Sequence, residues 1–229
     1  MNAVVGIGSS PKRKEDARFV RGKGTYVADI KRPNMLAGVF LRSEHAHAKL
    51  NSVDVSKALA QPGVKAVYTG EDMKADNVGG LPVGWGITDK HGNPMKEPPH
   101  PPIAQGKVRY VGDAVAFVVA ETQEQAEAAA ELIQVDYEVL PAVVGLVDAL
   151  RPDAPQLYDD VENNLCADWD LGNAAAVDAA FQNAAHVASI ELVNNRLIGN
   201  PLEPRAAIGE FEFATGRYTL WTTSQFPHV

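Results

Sequence analysis

Runs of apolar residues along the first 140 positions predict strands and short helices in alternation. Strand-length runs cover 35–42, 64–69 and 135–140, and the run over 113–120 is apolar at every position after its first. A run of that kind is typical of a strand that is buried on both faces. A short helix is predicted over 55–60, where a Pro-Gly pair follows.

A longer helix is predicted directly after the buried strand. Thr122 and Gln125 have the spacing of a capping box, in which each side chain bonds the backbone N–H of the other residue. Apolar residues then recur at helical spacing: Ala126, Ala129, Ala130 and Ile133. Strand, helix and strand joined by short connections predict an α/β unit in which the helix packs on the sheet.

The segment 79–106 interrupts this pattern. Twelve of its 28 residues are Gly or Pro, so we expect no regular structure there. A loop of this length inside a compact domain is usually functional, interfacial or disordered. For its tryptophan, Trp85, the sequence leaves two alternatives open, a contact with a partner and packing onto its own domain.

The second half of the chain predicts a smaller set of elements. Three prolines between 141 and 155 indicate a domain boundary near residue 150. Beyond it we predict a helix around 177–184, a strand over 186–193 and a hairpin over 206–223 that turns at Gly216. One helix and three strands make a thin core, so we expect the natural polypeptide to continue beyond the last residue.

The composition is that of an ordinary globular protein. Hydrophobic residues make up 45% of the 229 and charged residues 22%, and no apolar run approaches the ~20 residues of a membrane span. Met1–Pro11 lacks the basic and apolar regions of a secretory signal. Cys166 is the only cysteine, which excludes an internal disulfide and a cysteine-built zinc or iron–sulfur site. We therefore expect a cytoplasmic protein without a membrane span.

The net charge of −8 is unevenly distributed. Residues 1–32 contain eight Lys or Arg against three Asp or Glu, a charge of +5, so the remaining residues carry −13. Nucleic-acid binding needs a basic face across a whole domain, and only this arm is basic. We expect no nucleic-acid partner, and an arm that lies against an acidic surface of its own chain or of a partner subunit.

No complete catalytic or metal-binding set occurs in the sequence. Gly6-Ile7-Gly8 lacks the preceding strand and the third glycine of a dinucleotide-binding motif. His45 and His47 have the spacing of one strand face, but their neighbours complete no ligand set, so we interpret them as surface histidines. Cys166 has no evident base, and His186 is expected in a core strand. The residues alone predict an α+β protein without catalytic residues or a metal site.

Short motifs spread over nearly the whole chain occur together in one order. They are Arg13–Phe19, Gly22–Tyr26, Arg42–Ala48, Pro62–Val64 with Thr69–Asp72, Val108–Ala116, Val135–Pro141, Asn163–Trp169, Glu203–Arg205 and Thr223–His228. Each is weak alone, but the ordered set resembles the large subunits of the family of xanthine dehydrogenase, aldehyde oxidase and aerobic carbon monoxide dehydrogenase. Within it, Asn163–Trp169 is most similar to the carbon-monoxide-dehydrogenase branch.

The resemblance implies an α/β hammerhead domain followed by the start of a molybdopterin-binding domain. We expect the hammerhead, with its basic arm, to occupy 1–150, and a linker with the incomplete second domain to occupy 151–229. In this family a pterin-bound molybdenum oxidises or hydroxylates a small-molecule substrate, and electrons pass to iron–sulfur clusters and FAD on partner subunits. The substrate is left open between carbon monoxide and another small or heteroaromatic molecule.

Gln225 is the one position that the resemblance marks as a cofactor contact. It matches the glutamine whose amide approaches a molybdenum oxo ligand, whereas its own pattern favours a strand cap. Glu203 is not the family's catalytic base, and we expect it to form a buried hydrogen bond or an ion pair, with Arg205 as a candidate. The family's base, pterin-binding and substrate-selecting segments have no counterpart here. We expect the chain alone to be inactive and to bind no cofactor; the alternative is a non-catalytic docking module of hammerhead fold.

Overall fold

The computed structural model of the chain describes residues 6–195 and 197–226, and its contacts divide the chain into two units. The larger unit is Asn34–Ala188, and the smaller unit joins Met1–Pro33 with Ser189–Val229. In chain order the elements are α1 (Asp16–Phe19), β1 (Ala37–Arg42), β2 (Ala48–Asp54), α2 (Ser56–Leu59), β3 (Val64–Thr69), α3 (Gly70–Ala75), β4 (Lys107–Val108), β5 (Ala114–Ala120), α4 (Gln123–Ala130), β6 (Gln134–Val139), α5 (Leu146–Ala149), α6 (Ala174–Gln182), β7 (Ala207–Glu212) and β8 (Arg217–Thr222).

The larger unit contains two antiparallel sheets, in the orders β1-β5-β3 and β4-β2-β6. β5 is the central strand of the first sheet, and Val118 pairs with Val39 on one side and with Val67 on the other. Side chains from both faces of β5 are fully buried, including Val115 and Val118. The prediction of a strand buried on both faces is confirmed.

α4 packs on this sheet, as the sequence predicts. Its small residues Ala126 and Ala129 are fully buried and let the helix axis lie close to β1 and β5. The capping box is also confirmed, because Gln125 N donates to Thr122 Oγ1 at 3.2 Å and Thr122 N donates to Gln125 Oε1 at 3.1 Å. This helix and the first sheet enclose the main hydrophobic core.

The second sheet contains a strand that the sequence analysis missed. β2 pairs with β6, and its register shifts between Leu50 and Ser52. The shift breaks the alternation of apolar and polar residues, so no strand pattern was visible there. The short helix α3 was missed as well; it follows β3 directly and is capped through Thr69 and Asp72.

The segment 79–106 has little regular structure, as predicted. It contains one isolated bridge, between Thr88 and Pro94. Lys90 anchors it, because its backbone N–H donates to the Asp168 carbonyl oxygen at 2.9 Å and its ammonium group pairs with the Asp168 carboxylate at 2.5 Å. The ring of Trp85 remains 83% exposed, so it does not pack onto its own unit.

The smaller unit is built on the β7–β8 hairpin. The strands pair from Ala207 with Thr222 to Glu212 with Arg217, and Gly216, in the predicted turn, has a positive φ of 67°. The strand predicted over 186–193 is wrong, because these residues are exposed and form no regular structure. A strand needs a partner for its backbone groups, and no strand of the described residues pairs with this segment. His186 is consequently exposed rather than in a core.

None of the helices in the described residues is long and apolar enough to cross a membrane.

Candidate functional site

Gln225 lies in the smaller unit, three residues after the end of β8. Its side chain is exposed. Within the part of the chain that the structure describes, the side-chain amide has no hydrogen-bond partner. The rest of its motif, Pro227 and His228, lies outside the described residues. The amide is thus available to a ligand at the end of the hairpin.

Hydrogen bonds on both sides fix the backbone around Gln225. Thr223 N donates to the Ala206 carbonyl oxygen at 3.2 Å, and Ala206 N donates to Thr223 Oγ1 at 3.2 Å. The hydroxyl of Thr222 also donates to Ala206 O at 3.2 Å, and Phe226 N donates to Ser224 Oγ. The strand end is therefore capped by threonine side chains and not by the Gln225 amide.

Glu203 forms the structural hydrogen bond that the sequence predicts. It is half-buried, and its Oε1 accepts from the backbone N–H of Val27 at 2.8 Å. No ion pair with Arg205 forms within the described residues. The partner could not be found from the sequence, since Val27 lies 176 residues away along the chain.

An open cavity of about 370 Å³ lies beside this hydrogen bond. It is lined by Thr25, Val27, Ile30, Glu203, Leu220, Trp221, Thr222 and Thr223. One part of this lining belongs to the N-terminal segment and the other to the end of β8, immediately before Gln225. The cavity and Gln225 are thus built on the same strand end.

Neither His45 nor His47, both in the larger unit, is fully exposed. His47 is only 4% exposed, and its Nδ1 lies 2.7 Å from the Pro141 carbonyl oxygen. The interpretation as a surface residue is wrong for His47, because 43–47 do not form a strand and the His47 ring is buried against Pro141. His45 is half-buried, with its ring edge-on to Tyr137 at 4.8 Å. Residues 6–195 and 197–226 contain no group of three potential metal ligands.

A polar cluster in the larger unit was not found by sequence reasoning. The guanidinium group of Arg109 lies 4.2 Å above the Tyr158 ring and donates to the Leu157 carbonyl oxygen. Asp113 is buried and accepts from Arg109 N at 3.1 Å. Burial and the Asp113 carboxylate raise the pKa of Tyr110. These contacts join the start of β5 to the segment near 158, which indicates a structural role.

The fold and these motifs match two family models. Residues 21–141 match the a/b hammerhead domain of aldehyde oxidase and xanthine dehydrogenase, and residues 157–229 match a molybdopterin cofactor-binding domain. The chain belongs to the aldehyde oxidase and xanthine dehydrogenase family of molybdenum enzymes. The α+β fold that the resemblance implied, a hammerhead domain and the start of a molybdopterin-binding domain, is confirmed.

Individual relatives agree with this assignment. The carbon monoxide dehydrogenase large chain of Afipia carboxidovorans is 38% identical over 98% of this chain and 28% of its own length. The nicotine 6-hydroxylase large subunit of Paenarthrobacter nicotinovorans is 33% identical over 97% of this chain and 26% of its own length. A crystal structure of Cu,Mo-CO dehydrogenase in its carbon monoxide reduced state matches with a TM-score of 0.80 at 37% identity, over 100% of this chain and 29% of that chain. The chain spans just over a quarter of the length of these proteins.

Proposed function

We propose that this chain is the N-terminal part of a molybdenum-cofactor-binding large subunit, in which the Gln225 amide would help to hold the cofactor by donating a hydrogen bond to an oxo group of the metal. The observation that carries the proposal is the exposed Gln225 amide at a fixed strand end, within the residues that match the molybdopterin-binding domain. No catalytic residue and no metal ligand is assigned to the chain.

The amide suits this role for a simple chemical reason. A neutral N–H donor stabilises an oxo group without changing the charge of the site, and it needs no reorganisation when it is already held in place. The amide has no competing partner in the described part of the chain. When bound, the molybdenum cofactor would supply the two-electron oxidation of the substrate.

The partners follow from the same proposal. In the complete enzyme, electrons would pass to an iron–sulfur subunit and to a flavin subunit that carries FAD. The substrate would be a small molecule, and the higher identity to carbon monoxide dehydrogenase than to nicotine 6-hydroxylase favours an enzyme of the carbon monoxide dehydrogenase type. We propose the cytoplasm as its location, because a chain with one cysteine has no internal disulfide to maintain.

A second candidate is a docking module without redox chemistry. It is favoured by the larger unit, which has its own core and presents the exposed ring of Trp85 on a long loop. An oxidase or dye-reduction assay on the complete enzyme separates the two, because a docking module gives no turnover with any substrate of the family.

Substitution of Gln225 in the full-length enzyme tests the first proposal. A hydrogen bond to a charged group contributes about 1.5–3 kcal/mol, so Gln225→Ala should lower kcat roughly 10- to 150-fold without unfolding the protein. Gln225→Glu should lower it further, because it brings a negative charge to an electron-rich centre.

The matched control is Gln182→Ala, which removes an exposed amide at the end of α6 in the larger unit. Its kcat should equal that of the wild type. If Gln225→Ala keeps full molybdenum content and wild-type kcat, the assignment of Gln225 as a cofactor contact is wrong.

A further inference from the structure

The N-terminal segment Thr25–Arg32, named the clasp below, lies in the same unit as Gln225 although it is about 200 residues away along the chain. Two specific contacts tie it to the residues around the hairpin. One is a hydrogen bond from Val27 to Glu203, and the other is the stacking of Arg32 on Trp221.

The first contact satisfies a backbone group that has no partner within the clasp. Val27 begins a 3₁₀ turn over Val27–Asp29, and the first N–H groups of such a turn lack an internal acceptor. Asp29 Oδ2 accepts from the backbone N–H of Tyr26 at 2.9 Å, which leaves the Val27 N–H for Glu203 Oε1 at 2.8 Å. A carboxylate acceptor makes this a charge-assisted hydrogen bond, the stronger kind.

The second contact lies directly on β8. The guanidinium carbon of Arg32 is 4.3 Å from the centre of the Trp221 ring, within the range of a cation–π interaction. Trp221 pairs with Ile208 across the hairpin and is half-buried. Trp221 is also the penultimate residue of β8, so the arginine holds the strand four residues before Gln225.

The cavity described above supports the same arrangement. Its lining combines residues of the clasp, such as Val27 and Ile30, with residues at the end of β8, such as Trp221 and Thr223. The side chains of these four residues are half-buried, whereas Tyr218, earlier in β8, is 80% exposed. The clasp therefore covers one side of the strand that leads to Gln225.

We propose that the clasp positions Gln225, with Glu203 and Arg32 as positioning residues that act through the end of β8. The effect of the clasp on catalysis rests on the proposed function of Gln225. The physical link between the clasp and the end of β8 does not depend on that function. The link is a property of the chain without cofactor and can be measured there.

Hydrogen–deuterium exchange on the purified 229-residue chain measures the link directly. Glu203→Ala removes the acceptor, and it should speed exchange by at least about tenfold in peptides that cover 26–30 and 217–226, the lower end of the loss expected for one charge-assisted hydrogen bond. Glu203→Gln keeps an acceptor oxygen and should restore most of the protection. Arg32→Ala should also speed exchange in the 217–226 peptide, because it removes the separate contact with Trp221.

The exchange experiment has two controls, one variant and one set of peptides. Glu210→Ala changes an exposed carboxylate on β7 of the same hairpin and should leave exchange unchanged. Peptides of β5, in the larger unit, should exchange alike in all variants and so show that the chain still folds. If exchange at 217–226 is the same in wild type, Glu203→Ala and Arg32→Ala, the clasp does not position Gln225 and the proposal is overturned.

The kinetics of the full-length enzyme separate this proposal from the proposed function. Glu203→Ala should lower kcat more than it changes KM, and it should add little to the defect of Gln225→Ala, since both act on one amide. Wild-type turnover by Gln225→Ala contradicts the proposed function, and the exchange data still decide whether the clasp holds the strand.

Discussion

The two units of the chain differ in how their hydrophobic side chains are covered. In the larger unit several aliphatic side chains of β5 and α4 are fully buried, among them Val115, Val118 and Ala129. In the smaller unit no described residue is fully buried, and Leu202 and Phe213 are 93% and 91% exposed. The larger unit thus has a core of its own, whereas the smaller unit presents apolar side chains on its surface.

This difference shows where each unit obtains its stability. A two-stranded hairpin is marginal in water unless something packs on it. The β7–β8 hairpin has cross-strand aromatic pairs, with Phe211 4.6 Å from Tyr218, and it has the clasp contacts at Glu203 and Trp221. The larger unit instead depends on tertiary packing of a helix on a three-stranded sheet. Mutations should therefore have different effects in the two units.

The largest effect is expected from a glycine substitution in the larger unit. Gly70 is buried, and a Cβ there would overlap the backbone carbonyl of Ala104. A side chain can relieve such an overlap by changing rotamer, but a backbone carbonyl cannot. Gly70→Ala should therefore lower the free energy of unfolding by about 2–3 kcal/mol. The measurement is urea denaturation followed by circular dichroism.

Gly209 in β7 is the matched position in the smaller unit. A Cβ there meets nothing within 4 Å, so Gly209→Ala should change the free energy of unfolding by less than about 0.5 kcal/mol. Equal losses for Gly70→Ala and Gly209→Ala would show that the two units do not differ in packing as described.

A smaller effect is expected at the cap of α3. Asp72 Oδ2 accepts from Thr69 Oγ1 at 2.7 Å and from Thr69 N at 2.6 Å, and these bonds lower the pKa of Asp72. A lowered pKa in the folded state means that the ionised carboxylate stabilises the fold above its unfolded-state pKa. That contribution is lost as the pH falls through the folded-state pKa.

Asp72→Ala should therefore cost about 0.5–1 kcal/mol at pH 7, and the difference from wild type should shrink at pH 3. The matched carboxylate in the smaller unit is Glu212, which accepts from Thr215 Oγ1 at 2.5 Å in the hairpin turn. Glu212→Ala should not move the cooperative urea transition of the core. A difference for Asp72→Ala that is as large at pH 3 as at pH 7 would contradict the role of its charge.

Elements stabilised by local patterns could be predicted from the sequence, and elements stabilised by distant partners could not. The run 113–120 and the capping box at Thr122 carry their own signals, and both are confirmed. β2 was missed because a register shift after Leu50 hides its alternation. The strand predicted over 186–193 has an apolar pattern but lacks a paired strand within the described residues.

The candidate site shows the same limit. Gln225 could be marked only through its motif, because a single exposed amide carries no chemical signal of its own. Glu203 was expected to make a structural hydrogen bond. Its partner, the backbone N–H of Val27, could not be predicted, because the two residues meet only in the folded smaller unit. The burial of His47 likewise depends on its contact with Pro141, which lies 94 residues away and which residue spacing does not reveal.

We propose that this chain contributes Gln225 to a cofactor site whose other contacts belong to the rest of the large subunit. The most direct test is the molybdenum content of the purified 229-residue chain, produced in a host that makes molybdopterin and measured by elemental analysis beside the full-length enzyme. We predict no molybdenum above the buffer blank in the chain, because Gln225 is the one cofactor contact assigned to it, and a full complement in the complete enzyme. One molybdenum per 229-residue chain would contradict this account.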